Sequence, residues 1–242
     1  MTSLKRRTLL QHSAAQAAWL ATASPLAALA QDKYPSKPII WVCPYAAGGN
    51  ADSRSRQVAK VMSALLGQPM IVDNKPGAGG NIGTELIARA KPDGYTIGMG
   101  NFAPMAVNQA LFKKLNFDPV NDFTPILLLE RGPLILMVRN ESPYKTVADL
   151  VAAAKAAPGK LTYASAGPGS TNHLCAAMFA RMAGIEMVHV PYRGGAPAVQ
   201  DTLSGQTQLL FSAGTQTLGH VRSGGLRLLG VTERQRSSSL PD

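Results

Sequence analysis

The stretch IIWVCPYAAGGNADSRSRQVAKVMSALLGQPMIV, residues 39–72, decides the fold of this chain. It opens with a short apolar run that contains β-branched residues, which is typical of a buried strand. A glycine-rich turn follows, and apolar residues then recur at helical spacing at Val58, Val61, Met62 and Leu65. Gly67 ends this helix, and residues 70–72 form a second apolar run. Two strands joined by a helix predict a parallel pair with a right-handed crossover.

The same pattern continues along the chain. A glycine-rich turn at residues 77–83, a helix at 84–90 and a strand at 95–99 complete a β-α-β-α-β unit. Two further apolar runs, residues 126–130 and 134–138, are predicted as strands that cross from one lobe to another.

A second unit of helices and strands follows. Thr146, with Asp149 three residues later, resembles a capping box at the start of a helix. The later strands are predicted at 161–164, 187–190, 208–211 and 226–231, and the later helices at 173–182 and 198–203. We therefore predict an α/β protein of two doubly wound lobes, residues 31–130 and 131–225, around a ligand cleft.

The composition limits the partners. The chain has 242 residues, a formal net charge of +10 and a hydrophobic fraction of 45%, which suits a globular protein. Lys5, Arg6 and Arg7 lie together, whereas the other basic residues are scattered and have no aromatic residues among them. A nucleic-acid-binding protein carries a denser basic patch, so no nucleic-acid partner is predicted.

The first 30 residues have the parts of an export signal. A basic n-region precedes residues 9–29, which carry no charge, and a small-x-small cleavage site ends at Ala30. Polar residues and Pro25 interrupt the apolar stretch, which argues against a transmembrane anchor. We predict export with cleavage of residues 1–30 near Ala30. The Arg6-Arg7 pair fits the twin-arginine route, but the general secretory route stays open.

Two glycine-rich loops, one in each lobe, stand between a strand and a helix at residues 44–52 and 165–173. Glycine lets the backbone approach a ligand closely, and the helix N-terminus behind such a loop favours an anion. Ser170 and Thr171 add hydroxyl groups to the second loop. Asp52 is expected to cap its helix or to accept a hydrogen bond from a ligand. A tight turn without a ligand is the alternative for the first loop.

Three further features are more ambiguous. His173 is either a ligand donor or a structural residue at a helix start. In the loop at residues 191–197, Tyr192 is a candidate pocket wall, and Arg193 is either a carboxylate clamp or a solvated side chain. The loop at residues 76–83 matches neither a phosphate-binding loop nor a dinucleotide fingerprint, so we interpret it as a turn that supports the first lobe.

The sequence offers little for catalysis. Residues 163–167 only resemble the nucleophile elbow of a serine hydrolase, because a tyrosine replaces the first glycine. Cys43 and Cys175 lie in apolar runs, which favours buried free thiols, and the histidines lack metal-ligand spacing. We predict no catalytic residues, no cofactor and no metal. Sequence spacing leaves open a spatial triad that uses Ser165 and a histidine.

Five motifs in the same order resemble the Bug receptors, the substrate-binding proteins of tripartite tricarboxylate transporters. They are residues 44–52, 74–83, 91–96, 163–173 and 191–197. The resemblance implies a type II periplasmic-binding-protein-like fold. It also implies a small carboxylate ligand (an amino acid, a di- or tricarboxylate or an aromatic acid) and delivery of that ligand, in the periplasm, to the permease subunits of a membrane transporter.

The resemblance also implies where the ligand lies. The family often has Phe and Pro in the first loop where this chain has Tyr45 and Ala47, which would leave a phenol near the ligand. The predicted ligand-binding residues are Tyr45, Ala46, Gly48, Gly49, Asn50, Ala51, Asp52, Ser165, Gly167, Gly169, Ser170, Thr171, His173 and Tyr192.

The end of the chain departs from the family. Family members continue past residue 242 with strands and helices that rebuild the first lobe, so residues 226–242 are expected to begin that return segment and the remainder to be missing. A non-functional truncated remnant is therefore one alternative to a working receptor. A secreted serine hydrolase is the other.

Overall fold

The computed structural model describes residues 33–235. The predicted signal peptide at residues 1–30 and the end of the predicted return segment, residues 236–242, lie outside the described residues. Within the described part, no helix has the length and apolar character that crossing a membrane requires.

Two β-sheets organise the described residues. The first consists of β1 (Ile39–Cys43), β2 (Met70–Asn74) and β3 (Thr96–Gly98), in the order β2-β1-β3. The strands of the second are β4 (Leu134–Arg139), β5 (Thr162–Ser165), β6 (Val188–Pro191), β7 (Leu209–Ala213) and β8 (Leu226–Val231). Their order in the sheet is β6-β5-β7-β4-β8.

Helices connect these strands. They are α1 (Asn50–Leu66), α2 (Asn81–Ala88), α3 (Asn108–Leu111), α4 (Val147–Ala156), α5 (Thr171–Ala183), α6 (Gly195–Leu203) and α7 (Gly214–Arg222). A 3₁₀ turn at Ala78–Gly80 leads into α2, and a π-helical turn at Ala103–Val107 leads into α3.

The β-α-β-α-β unit predicted for residues 39–99 is present. β1 pairs in parallel with β2 on one side and with β3 on the other. Gly67 ends α1 in the left-handed conformation, with φ of 68°, and its N–H donates to the carbonyl of Ser63. Ile39, Trp41 and Met70 form a buried cluster under α1. The apolar spacing in residues 39–72 therefore corresponds to one face of α1 that packs on a parallel sheet.

The second sheet is covered on both faces. Ile135 and Met137 of β4 belong to one buried cluster, and Leu136 and Val138 belong to another on the opposite face. Such a strand is a continuous apolar run because successive side chains point to opposite faces of the sheet. β4 pairs antiparallel with β7 and β8, whereas β5 pairs in parallel with β6 and β7.

The sequence predicted the start of α4 but did not predict α7. The capping box before α4 is confirmed: the N–H of Asp149 donates to Thr146 Oγ1 at 3.1 Å, and the N–H of Thr146 donates to Asp149 Oδ2 at 2.9 Å. The helix α7 was not predicted, because only Thr217 is fully buried along it and no apolar stripe marks it.

The prediction of a crossing strand at residues 126–130 needs correction. The run at residues 126–130 is not a strand, and no strand among residues 33–235 pairs with it. Ile126, Leu127 and Leu128 are accordingly 74%, 63% and 72% exposed. The predicted strand Leu226–Val231 is present and pairs with β4, and its buried Leu226 packs with the core of that sheet. The lobe boundaries, including a return segment from residue 226, stay a prediction.

Candidate functional site

A cavity of about 180 Å³ lies among loops that follow the carboxyl ends of β1, β2, β5 and β6. Ligands of α/β sheets bind at such ends. The lining consists of Tyr45, Gly77, Ala78, Gly79, Gly80, Ala166, Pro168, Pro191, Tyr192 and Arg193. It therefore draws on both sheets and on four separate loops.

Residues 77–80 line the cavity. The sequence predicts for this loop only a turn that supports the first lobe. All four have positive φ, including Ala78 at 48°, so the loop turns sharply enough to bring its backbone to the cavity. The signal that could have found it was the same run of glycines between strand and helix that singled out the first loop.

Of the predicted ligand-binding residues, Tyr45 and Tyr192 line the cavity. The second loop lines it through Ala166 and Pro168, which were not on the predicted list. The remaining predicted residues stand elsewhere in the two glycine-rich loops: Ala46, Gly48, Gly49, Asn50, Ala51, Asp52, Ser165, Gly167, Gly169, Ser170, Thr171 and His173.

Asp52 holds the first loop in place. Its carboxylate accepts hydrogen bonds from the backbone N–H of Gly48 at 2.9 Å and from Asn74 Nδ2 at 2.9 Å, and it pairs with Arg56 at 3.0 Å. Asn74 Nδ2 also donates to the carbonyl of Tyr45 at 2.9 Å. The N-cap of α1 is Gly49, which has no side-chain bond, so the predicted capping role of Asp52 is wrong. A contact between Asp52 and a ligand stays a prediction.

The charge of Asp52 is stabilised where it lies. Burial raises the pKa of this carboxyl, but the hydrogen bonds from Arg56, Gly48 and Asn74 outweigh that effect and lower the pKa below its usual value. A buried carboxylate that accepts this many hydrogen bonds stays ionised near neutral pH. The first loop is thus built around a permanent negative charge.

The first loop also contacts the second sheet's helices and loops. The N–H of Ala46 donates to the carbonyl of Arg193 at 3.1 Å, and the N–H of Asn50 donates to Gln216 Oε1 at 3.3 Å. The Thr215 hydroxyl donates to Asn50 Oδ1, while Asn50 Nδ2 donates to Glu130 at 3.0 Å. Backbone N–H groups that the sequence assigned to a ligand are here occupied by protein acceptors.

The Tyr45 phenol forms its contacts within the protein. Its hydroxyl lies 3.0 Å from Asn101 Oδ1 and 3.4 Å from the carbonyl of Gly79, and the residue is buried. Burial raises the pKa of Tyr45, so the phenol stays protonated. A Cβ on Gly80 would lie 2.9 Å from this hydroxyl. Tyr45 therefore packs against the 77–80 loop and presents its ring to the cavity.

The second loop is held by hydroxyls and imidazoles. Ser165 Oγ accepts from the N–H of Gly167 at 3.1 Å and lies 2.6 Å from His189 Nε2. Ser170 Oγ donates to the carbonyl of Gly167 at 2.7 Å. The N–H of Gly169 donates to His173 Nδ1 at 3.2 Å. Ser170 is also the N-cap of α5, where its hydroxyl accepts from the N–H of His173. The sequence analysis did not predict this network.

The two histidines stack on each other and on Tyr163. The ring centroids of His173 and His189 lie 4.1 Å apart, and those of His189 and Tyr163 lie 5.0 Å apart. Burial, together with the neighbouring His173, lowers the pKa of His189 to about 4, and burial lowers the pKa of His173. Both rings are therefore neutral near neutral pH, as the acceptor role of His173 Nδ1 requires.

The two sides of the cavity approach very closely. A Cβ on Gly79 would lie 2.6 Å from the carbonyl oxygen of Pro168, and a Cβ on Gly169 would overlap the side-chain oxygen of Asn108. Asn108 is fully buried and donates to Gly79 at 3.3 Å. Glycine is needed at position 79 because two backbones pass each other there, and at position 169 because the Asn108 side chain fills the space beside it.

The chemistry of the lining is mixed. Tyr192 donates its hydroxyl to Asp201 at 2.5 Å, so its polar end is satisfied. Arg193 supplies the charge, and its exposed side chain forms no ion pair with the described residues. Among residues 33–235, no cluster of His, Cys, Asp and Glu could hold a metal. Cys43 and Cys175 are free thiols, the first buried and the second half-buried.

Known proteins share this architecture. The protein BugT of Bordetella pertussis is 34% identical over 224 residues, covering 92% of this chain and 69% of BugT. The solved structure of R. palustris Rpa4515 with adipate is 33% identical with a TM-score of 0.81, covering 84% of this chain and 68% of that one. MatC of Rhodopseudomonas palustris with bound malate is 29% identical with a TM-score of 0.81, covering 86% and 71%.

This chain is shorter than the proteins it resembles. A UPF0065 protein of Pseudomonas sp. is 37% identical over 221 residues, which cover 91% of this chain but 66% of that relative. The chain thus spans about two thirds of the length of such relatives.

The agreement in structure confirms the type II periplasmic-binding-protein-like fold. The family model described as "Tripartite tricarboxylate transporter family receptor" matches residues 55–242. The chain belongs to the family of tripartite tricarboxylate transporter receptors, which includes the Bug proteins.

Proposed function

We propose that the chain is an extracytoplasmic receptor that binds a small carboxylate between its two lobes and delivers it to a membrane permease. The observation that carries this proposal is the cavity itself, which is lined by loops from both sheets and has Arg193 as its charged lining residue. Its volume is below the roughly 300–1,000 Å³ of pockets for drug-sized ligands, which favours a small ligand.

The electrostatics favour an anion. Arg193 offers a planar set of donors that matches a carboxylate, and no acidic residue belongs to the lining. The glycine-rich loop at residues 77–80 leads into the N-terminus of α2, whose dipole also favours negative charge. Apolar walls from Tyr45 and Tyr192 would contact the carbon chain of the ligand.

The ligand class follows from the relatives. Adipate and malate, each with two carboxylates, are bound in the structures similar to this chain. We therefore propose a dicarboxylate as the first ligand to test, with the ligand held in a closed arrangement of the lobes. Location in the periplasm, cleavage near Ala30 and transfer to permease subunits are parts of the same proposal.

Calorimetric titration of the full chain with adipate, malate, succinate and a neutral diol tests this function. Binding of at least one dicarboxylate and none of the diol is expected. Arg193→Gln should weaken that binding about tenfold or more, because a charge-assisted hydrogen bond is lost. Arg181→Gln, which changes an exposed arginine outside the cavity lining, is the matched control. A folded chain that binds no carboxylate would favour the non-functional remnant.

The serine hydrolase remains a second candidate because Ser165 and His189 lie 2.6 Å apart. Against it, Ser165 is completely buried and its hydroxyl is already bonded within the loop, while His189 has a pKa too low for a general base. No turnover of p-nitrophenyl esters is expected. Turnover that disappears in Ser165→Ala would establish the hydrolase instead.

A further inference from the structure

His189 occupies a central place under the second glycine-rich loop. It lies on β6 directly beside Tyr163 of β5 in the parallel register, and its ring stacks on that of Tyr163. Its Nε2 lies 2.6 Å from Ser165 Oγ. Since a ring stacked in a sheet has little rotational freedom, this contact fixes the position of the Ser165 hydroxyl.

Ser165 carries that constraint into the loop. Its hydroxyl oxygen accepts from the N–H of Gly167 at 3.1 Å and lies 3.3 Å from the carbonyl of the same residue. Gly167 has φ of 121°. Because glycine has no Cβ, steric contacts of its own side chain do not select this conformation. The orientation of the Gly167 peptide therefore depends on hydrogen bonds. The residues on either side, Ala166 and Pro168, line the cavity.

A second route runs through His173. The stacked rings of His189 and His173 lie 4.1 Å apart at an angle of 22°. His173 Nδ1 accepts from the N–H of Gly169, so its ring orientation sets the direction of that peptide. Removing the His189 ring would free His173 to tilt. Both glycines that flank Pro168 are therefore linked to one residue outside the cavity, and Ser170 adds hydrogen bonds of its own to the Gly167 carbonyl.

We propose that His189 is a positioning residue of the ligand site: through Ser165 and through its stacking on His173, it holds the Gly167 and Gly169 peptides in the orientation that shapes the cavity wall. This inference rests on the proposed function for its effect on binding. The wall geometry itself can be measured without a ligand.

Two variants separate hydrogen bonding from packing. His189→Leu keeps apolar volume but removes the nitrogen, whereas His189→Gln keeps an amide able to reach Ser165 Oγ. For the leucine variant, the backbone amide NMR signals of Gly167 and Gly169 should shift, and the Kd for adipate and malate should rise about tenfold. The glutamine variant should restore the Gly167 signal and bring Kd within about threefold of the wild type. His220→Gln, on α7, is the control and should change neither.

The outcomes are distinguishable. If the wild type binds neither dicarboxylate, the proposed function fails while the two glycine signals still test the positioning role. If His189→Leu leaves both glycine signals unchanged, the positioning role is wrong whatever the binding shows. Should His189→Leu not fold, Ser165→Ala is combined with His189→Phe, which keeps a ring that can stack on His173 but lacks the nitrogen that contacts Ser165. A positioning role through Ser165 predicts effects of the two changes on the Gly167 signal that are not additive, and additive effects would overturn it.

Discussion

The two glycine-rich loops look alike in sequence but are held in opposite ways. The first is fixed by Asp52, a buried carboxylate that joins Gly48, Arg56 and Asn74. The second is fixed by neutral groups, the hydroxyl of Ser165 and the stacked imidazoles below it. The glycines allow each loop to adopt its conformation, and hydrogen bonds from side chains then fix that conformation. A shared glycine pattern therefore predicts a shared shape and says little about what stabilises it.

Removing the carboxylate of the first loop should have the largest effect. Asp52→Ala leaves the Gly48 N–H, the Asn74 amide and the Arg56 guanidinium without their partner. We expect the free energy of unfolding to fall by about 2–3 kcal/mol, measured by urea denaturation. Asp52→Asn, which keeps one acceptor oxygen, should lose less. A loss below about 0.5 kcal/mol in Asp52→Ala would mean that the first loop is not held by this charge.

The close approach at the second loop should have the next largest effect. Gly169→Ala places a methyl group on the buried Asn108 side chain in a residue with φ of 77°. We expect about 2 kcal/mol of destabilisation, from left-handed strain together with the overlap. Gly184→Ala is the matched control, because Gly184 has φ of 60° with nothing within 4 Å of the added Cβ. It should lose only about 1 kcal/mol. Equal losses of unfolding free energy in the two variants, measured by thermal or urea unfolding, would show that the contact with Asn108 does not contribute.

The two loops should also respond to acid in different pH ranges. The pKa values of His173 and His189 are lowered, so the unfolded imidazoles gain protons first, and their stabilising contribution is complete above about pH 6.5. It should decline between about pH 6.5 and pH 4, where His189 protonates in the folded state. The groups that face these rings are each other, Tyr163 and Ser165.

The pKa of Asp52 is also lowered, but for a carboxyl the contribution is complete above its unfolded value, near pH 4, and is lost only below that. Urea unfolding from pH 7 to pH 3 measures both. The stability difference between the wild type and His189→Gln should shrink between pH 6.5 and 4, while that between the wild type and Asp52→Asn stays constant there. Parallel curves for both variants would show that the loops do not differ in this way.

The smallest effect is expected where the first loop meets α7. Gln216→Leu removes the acceptor of the Asn50 N–H, which is only partly buried and can bind water instead. We expect a loss of about 1 kcal/mol or less in the free energy of unfolding. Gln206→Leu, at an exposed turn, should be neutral. A loss above about 2 kcal/mol would make this contact as important as the Asp52 network, contrary to the proposed ranking.

Much of the fold could be predicted from the sequence because it depends on local patterns. The strand Ile39–Cys43, the helix end at Gly67 and the capping box at Thr146 each follow from neighbouring residues. The run at residues 126–130 failed because a strand also needs a partner, which no apolar pattern specifies. The strand Leu226–Val231 was found from its own apolar run, whereas its partner β4 comes from a distant part of the chain.

The site was predicted less well because it depends on contacts between distant residues. The loops of the site were found from their glycines, but His189 contacts Ser165 from 24 residues away in the sequence. Gln216 accepts from the backbone of Asn50 from 166 residues away. The role of Asp52 was missed because Asn74, its partner, lies on β2, 22 positions further along the chain. Turn chemistry is local, whereas the groups that fix a turn are not.

A crystal structure of the full chain with adipate is the decisive test of the proposed binding site. We expect the ligand in the cavity among Tyr45, residues 77–80 and Tyr192, with one carboxylate within about 3 Å of the Arg193 guanidinium. Adipate bound elsewhere, or bound in this cavity with Arg193 turned to solvent, would contradict it.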